Sequence, residues 1–161
     1  MSGYHIFAHS WGAVIAEVFA ARQPPGLVSL VLGGALANTK EYLAAQWDKE
    51  EGFLSKLPQI MQDKIKQVNK DQDYQDSDYL KIVDYLTQQY MVRTFPTPDC
   101  ISYSFTVINE DIFTRMWGPS DYSVNPTSVL AELDLTESLQ NIRVPVLLTN
   151  GRYDTMRGRV A

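Results

Sequence analysis

Ala8-His9-Ser10-Trp11-Gly12 sets a serine between small residues, and the chain on its two sides differs in character. Before it, Tyr4 to Ala8 (YHIFA) is a short apolar run of strand length. After Gly12, the segment AVIAEVFAARQ, rich in alanine with one glutamate, reads as a buried helix. A small-x-Ser-x-small turn from strand to helix lifts the serine hydroxyl into a site as a nucleophile. Small flanks suit a strained turn whose backbone passes close to its neighbours. The amide of the next residue, Trp11, then stands at a helix N-terminus, where it can donate to an oxyanion. The same residues admit a plainer reading, a serine capping a helix.

Gly151-Arg152-Tyr153-Asp154 follows a later apolar run, Val144 to Thr149. An acid just beyond a parallel strand is placed to orient a general base, although Gly-x-x-Asp also occurs in solvated turns. The base itself is the missing member. In the order serine, acid, histidine, the imidazole should follow Asp154, and the remaining residues TMRGRVA contain none. The chain has two histidines. His5 falls inside the first strand. His9 adjoins Ser10, but in such a turn its ring points away from the hydroxyl, which suits packing or support of the site.

The elements that must position these residues follow from the apolar pattern. Leu27 to Leu32 (LVSLVL) is a second strand, separated from the helix by Pro24-Pro25-Gly26. Strand, helix, strand without polar alternation predicts a parallel βαβ unit buried on both faces. Residues 36–137 form a helical insertion, with apolar residues at helical spacing in YLAAQWDKEEGFL, IMQDKIKQV and DYLKIVDYLTQQYMVRTF, an N-cap region at Asp76-Ser77-Asp78, and a further helical stretch over 99–117. The expected organisation is a sheet core of residues 1–35 and 138–161 with a helical cap of 36–137. A helical lobe between parallel strands is placed to cover a site at the strands' C-terminal ends.

Composition limits the chemistry. Fourteen Lys+Arg against nineteen Asp+Glu give a net charge of −5, which argues against a nucleic-acid partner. One cysteine and two histidines leave no disulfide framework and no zinc cluster, so no metal or cofactor is expected. Cys100 reads as a buried or half-buried cap residue. No run of about 18 apolar residues is present to span a membrane, and MSGYHIFAHSWG lacks the basic start of a secretory signal. The expectation is a cytoplasmic protein.

The pentapeptide around Ser10 resembles the nucleophile turn of the α/β-hydrolase superfamily. HIFAHSWGAVIAEVFA, LVSLVLGGAL, MWGPSDY and LDLTESLQNIRVPVLLTNGRYD, in that order, resemble the proline iminopeptidase branch from Tyr4 to about Thr155. The resemblance implies an α/β class with a partial α/β-hydrolase fold, a parallel sheet core and a large helical cap. It also implies a serine aminopeptidase acting through an acyl-enzyme on small peptides with a free N-terminus. Ser10 matches the nucleophile, Asp154 the triad acid, and Trp11 the residue whose amide forms half of the oxyanion hole. Asp121, in GPSDY, matches the cap acid that grips the substrate's α-amino group; a turn-forming aspartate after Pro119-Ser120 is the alternative. Thr155 stands where close relatives have a second acid.

The family's early strands, its HGGPG-type loop, and its last strand, last helix and histidine have no counterpart here. The chain therefore looks like the central portion of a longer enzyme, with weak or absent activity. Two other functions remain open: a non-catalytic remnant whose cap binds a peptide or partner protein, and a general carboxylesterase. Neighbour strands missing from both sheet edges imply self-association.

Overall fold

A computed structural model describes residues 2–156. The chain divides into two compact units, Met1–Tyr42 with Glu132–Ala161, and Leu43–Ala131.

The first unit is built on a sheet. It contains β1 (Tyr4–His9), α1 (Trp11–Ala21), β2 (Leu27–Gly33), the start of α2 (Thr39–Gln46), the short α7 (Thr136–Leu139) and β3 (Val146–Thr149). The strands are parallel in the order β1-β2-β3. Ala8 pairs with Leu32 and Leu32 with Leu148; one step on, His9 pairs with Gly33 and Gly33 with Thr149. Ala13, Ala16 and Ala20 recur at helical spacing and form one face of α1. They pack on Leu30, Leu32 and Ala35, with Ile6, Ala8, Ile142 and Val144 at the margin. Methyl groups are the only side chains these alanines bring to the contact, so helix and sheet lie close together.

The expectation that the strands are buried on both faces is not met. Burial alternates along β1, and all four residues of β3 are exposed. Phe7, Val31 and Leu147 pair in one row across the sheet. Phe7 is 76% and Leu147 58% exposed, because α1 lies on the opposite face from this row. An apolar run specifies strand character without stating what covers each face.

The second unit is helical. It holds the remainder of α2, then α3 (Gln59–Asp71), α4 (Ser77–Leu86), α5 (Asp99–Thr106) and α6 (Glu110–Met116). Phe53, Leu54, Leu57, Ile65, Val68, Tyr79, Ile82, Leu86 and Tyr122 form its core. Tyr79, Ile82 and Leu86 keep the spacing of one α4 face. Asp76 caps α4 by accepting the amides of Asp78 and Tyr79, both at 2.9 Å, and binds Lys64 Nζ at 3.0 Å. Those two amides, first Tyr79's, and the ammonium of Lys64 hold its carboxyl below the usual range.

The helical stretch expected over 99–117 consists of two helices, α5 and α6. Asn109 interrupts it and caps α6 by accepting the Ile112 amide at 3.0 Å. Cys100 is exposed rather than buried, since α5 buries none of its residues.

Ile65 is fully buried at the middle of α3. Ile65→Ala should lower the unfolding free energy by about 2–5 kcal/mol, through lost transfer energy and a residual cavity. Urea denaturation checks this.

Candidate functional site

β1 ends where His9 pairs with Gly33, and α1 begins at Trp11, so a single residue makes the reversal between them. Ser10 is that residue. Its amide continues the sheet pattern by donating to Gly33 O at 2.9 Å, and its carbonyl accepts the Ala13 amide at 2.8 Å as the helix starts. Serving both elements forces φ to +53° and ψ to −128°, a region that L-residues avoid. The Ser10 side chain makes no capping bond to α1 and is exposed. Trp11 contributes the first amide of an 11-residue helix, where the partial positive charge of the dipole lies.

Asp154 follows β3 by one turn. Its amide donates to Gly151 O at 3.1 Å, and its Oδ1 accepts the Met156 amide at 2.9 Å. Ser10 and Asp154 both lie beyond the C-terminal ends of their strands. β1 and β3 are two strand spacings apart, about 10 Å, with the end of β2 between them.

The Gly33-Gly34 corner fills that interval. Gly34 has φ +54°, and its amide donates to Thr149 O at 2.9 Å, tying β2 to β3. A Cβ placed on Gly34 would lie 3.8 Å from Asp154 Oδ2 and also 3.8 Å from His9 Nε2. The His9 ring thus turns toward the corner, with its Cδ2 3.1 Å from a Cβ placed on Gly33. The sequence marks this corner only as the end of a strand; the paired glycines are the signal that a ring and a carboxylate crowd there.

Two readings of small or polar positions change. A Cβ on Gly12 would meet nothing within 4 Å among the described residues, so the close neighbour expected at that flank is not there. Thr155 is buried, and its Oγ1 accepts a hydrogen bond from Tyr42 Oη at 3.1 Å.

Asp121 belongs to the helical unit. It occupies a tight turn in which the Ser123 amide donates to Ser120 O at 3.3 Å. Tyr79 Oη donates to Ser123 Oγ and shares a hydrogen bond with Ser120 Oγ, each at 2.7 Å. Gln46 Nε2 donates to the Asp121 carbonyl at 3.0 Å. Backbone closes on the turn from outside, since a Cβ on Gly118 would stand 2.6 Å from Asn125 N. Asp121 thus sits half-buried in a turn held by these hydrogen bonds.

Among the described residues, no three or more of His, Cys, Asp and Glu converge where a metal could bind. No described helix is long and apolar enough to cross a membrane.

Solved structures share this arrangement. That of VinJ superposes with a TM-score of 0.85 at 25% identity, over 99% of this chain and 52% of the other. The chain has a partial α/β-hydrolase fold. A proline iminopeptidase from Mycobacterium smegmatis shares the hydrolase fold, with a TM-score of 0.81 at 23% identity.

No family model matches the chain. In sequence, the chain is 27% identical to a proline iminopeptidase of Elizabethkingia meningoseptica over 157 residues, 95% of this chain and 50% of that one. It is 29% identical to one from Lactobacillus helveticus, over 98% of this chain and 52% of that one. The resemblance to proline iminopeptidases thus runs through nearly all of the chain, and the chain spans about half the length of these relatives.

The two glycines near the site make opposite demands. Gly34→Ala should destabilise by about 1–2 kcal/mol, because its left-handed φ strains any Cβ. Gly12→Ala should be neutral or stabilising, since it adds a good helix former in open space. Thermal unfolding of the two variants side by side tests both.

Proposed function

We propose that the chain carries the nucleophile and acid of a serine hydrolase of the proline iminopeptidase type, which releases N-terminal residues from small peptides by proteolysis through an acyl-enzyme. The observation that carries this reading is the Ser10 backbone at φ +53° with its hydroxyl left uncapped at the start of α1. A helix-capping serine would spend that hydroxyl on the first turn. The names of the curated relatives support the substrate class.

In this mechanism Ser10 Oγ attacks the carbonyl carbon and its proton passes to an imidazole. The Trp11 amide donates to the oxyanion as it forms. Asp154 orients the imidazole and stabilises its charged form. The amine leaves with the proton, and water then attacks the ester by the same route in reverse. Asp121 accepts charge-assisted hydrogen bonds from the substrate's α-ammonium. No cofactor enters. The 161 residues offer no base in the required order: His5 Nδ1 is engaged with Ser29 Oγ at 2.7 Å, and His9 turns to the Gly33-Gly34 corner. Turnover by the chain alone is accordingly weak or absent. The proposed setting is the cytoplasm.

A second reading, a general carboxylesterase, is favoured by Thr155. Buried on Tyr42, it supplies no second acid for an amine. A third, a cap that binds a peptide or partner protein without catalysis, draws on α5 and α6, which bury no residue and expose Tyr103, Phe105 and Ile112.

The chain alone should hydrolyse a proline arylamide about 10⁶-fold more slowly than a complete triad would. Fusion to both the HGGPG-bearing N-terminal and the histidine-bearing C-terminal segments of a relative should restore turnover, and Ser10→Ala should abolish it. In the fusion, Asp121→Asn should lower kcat/KM for free-amine substrates well beyond its effect on N-blocked ones. A folded but inactive fusion, or activity that survives Ser10→Ala, overturns the serine mechanism. Faster cleavage of aryl esters than arylamides, indifferent to Asp121, selects the esterase.

We also propose that the chain associates with itself through its sheet. Its apolar row of Phe7, Val31 and Leu147, and the outer edges of β1 and β3, present surface suited to pairing. Size-exclusion chromatography should show species larger than a monomer that bind a hydrophobic dye. A sharp monomer peak without dye binding counts against it.

A further inference from the structure

Glu17 is the one ionisable residue in the buried face of α1. It lies four residues after Ala13 and three before Ala20, and it is 2% exposed. Its Oε2 is buried without a hydrogen-bond partner among the described residues. A carboxylate in such a place loses its hydration and gains nothing in return, whereas the neutral acid loses far less.

Among the described residues, the elements packed on α1 offer no compensating charge. α1 packs against β1, β2 and α7. β2 has no ionisable side chain. On β1, His5 and His9 share the exposed face with Phe7, opposite Ile6 and Ala8, which pack on α1; Tyr4 is half-buried at the strand's start. Glu137 of α7 is exposed, as is Arg143 just beyond it. Burial alone raises the Glu17 pKa from 4.5 to about 7.

We propose that Glu17 makes the Ser10 turn pH-responsive: α1 stays seated on the sheet while the Glu17 carboxyl is protonated, and its ionisation loosens the helix and the turn that begins it. The inference rests on the packing of α1 and is independent of the bond that Ser10 attacks. The sign follows from the shift. An acid whose pKa is higher in the folded than in the unfolded chain adds stability that is complete below pH 4.5 and is lost as pH rises through about 7. From the acid limit to neutral pH, the folding equilibrium of the α1 region should weaken by roughly 10²-fold.

The test is amide hydrogen exchange in α1 of the whole chain at pH 5 and pH 8, corrected for the intrinsic pH dependence of exchange. In the wild type, protection at Ala13 to Ala20 should fall by about 10²-fold between the two. In Glu17→Gln, which keeps the shape and removes the proton equilibrium, protection should be level. Equal pH dependence in both proteins, or none in the wild type, overturns the proposal. Should Glu17→Gln fail to fold, the carboxyl ¹³C shift of Glu17 in the wild type decides: a midpoint near 7 supports the inference, and one near 4.5 refutes it.

Discussion

Ser10 has to end a strand and start a helix within one residue. Its amide belongs to the β1–β2 ladder and its carbonyl to the first turn of α1, and it serves both with φ at +53° and ψ at −128°. The cost, of order 1–3 kcal/mol for a strained non-glycine residue, is met by what clamps each side. The β1–β2 pairing fixes His9 opposite Gly33, and the alanine face of α1 fixes the helix on Leu30 and Leu32. If either clamp slackens, the serine can relax into an ordinary helical cap, and the exposed hydroxyl becomes a capping group. The strained Ser10 geometry is therefore held by apolar packing several residues away from it.

The helical unit solves a similar problem with polar groups. The turn around Asp121 has little apolar bulk of its own apart from Tyr122. It is held by Tyr79, whose ring lies in the core and whose hydroxyl reaches both Ser120 and Ser123. Burial raises the pKa of the Tyr79 hydroxyl, which keeps it protonated and able to donate. A residue on α4 thereby determines the shape of a loop more than forty positions later in the chain.

Much of the sheet unit could be read from the sequence because local chemistry determines it. Strand-length apolar runs, Pro24-Pro25-Gly26 and the small-x-Ser-x-small turn gave the three strands, their parallel pairing and the special position of Ser10. Asp154 was legible as an acid beyond a strand. What escaped depends on the surroundings of a residue and not on its neighbours in the chain. Leu147 looks the same whether a helix covers it or not. Gly12 follows the motif although, among the described residues, no other part of the fold comes within 4 Å of a Cβ placed there. Asn109 breaks a helix only because its side chain takes up the Ile112 amide, and Thr155 counts as buried only once Tyr42 is known to lie against it. Glu17 was visible as the single charge in an alanine-rich helix, but only the packed structure shows that its Oε2 has no partner among the described residues.

Because methyl groups line the meeting of α1 with the sheet, the gap between the two layers has no slack to absorb a change. A Leu–Leu contact can exchange rotamers when a neighbour grows by a carbon; Ala13, Ala16 and Ala20 have no rotamers to exchange. Added bulk there must be taken up by Leu30 and Leu32 on the sheet side or by a shift of the helix, whose first amide is that of Trp11. The spacing that three alanines set thus works as a gauge for how closely α1 approaches the sheet.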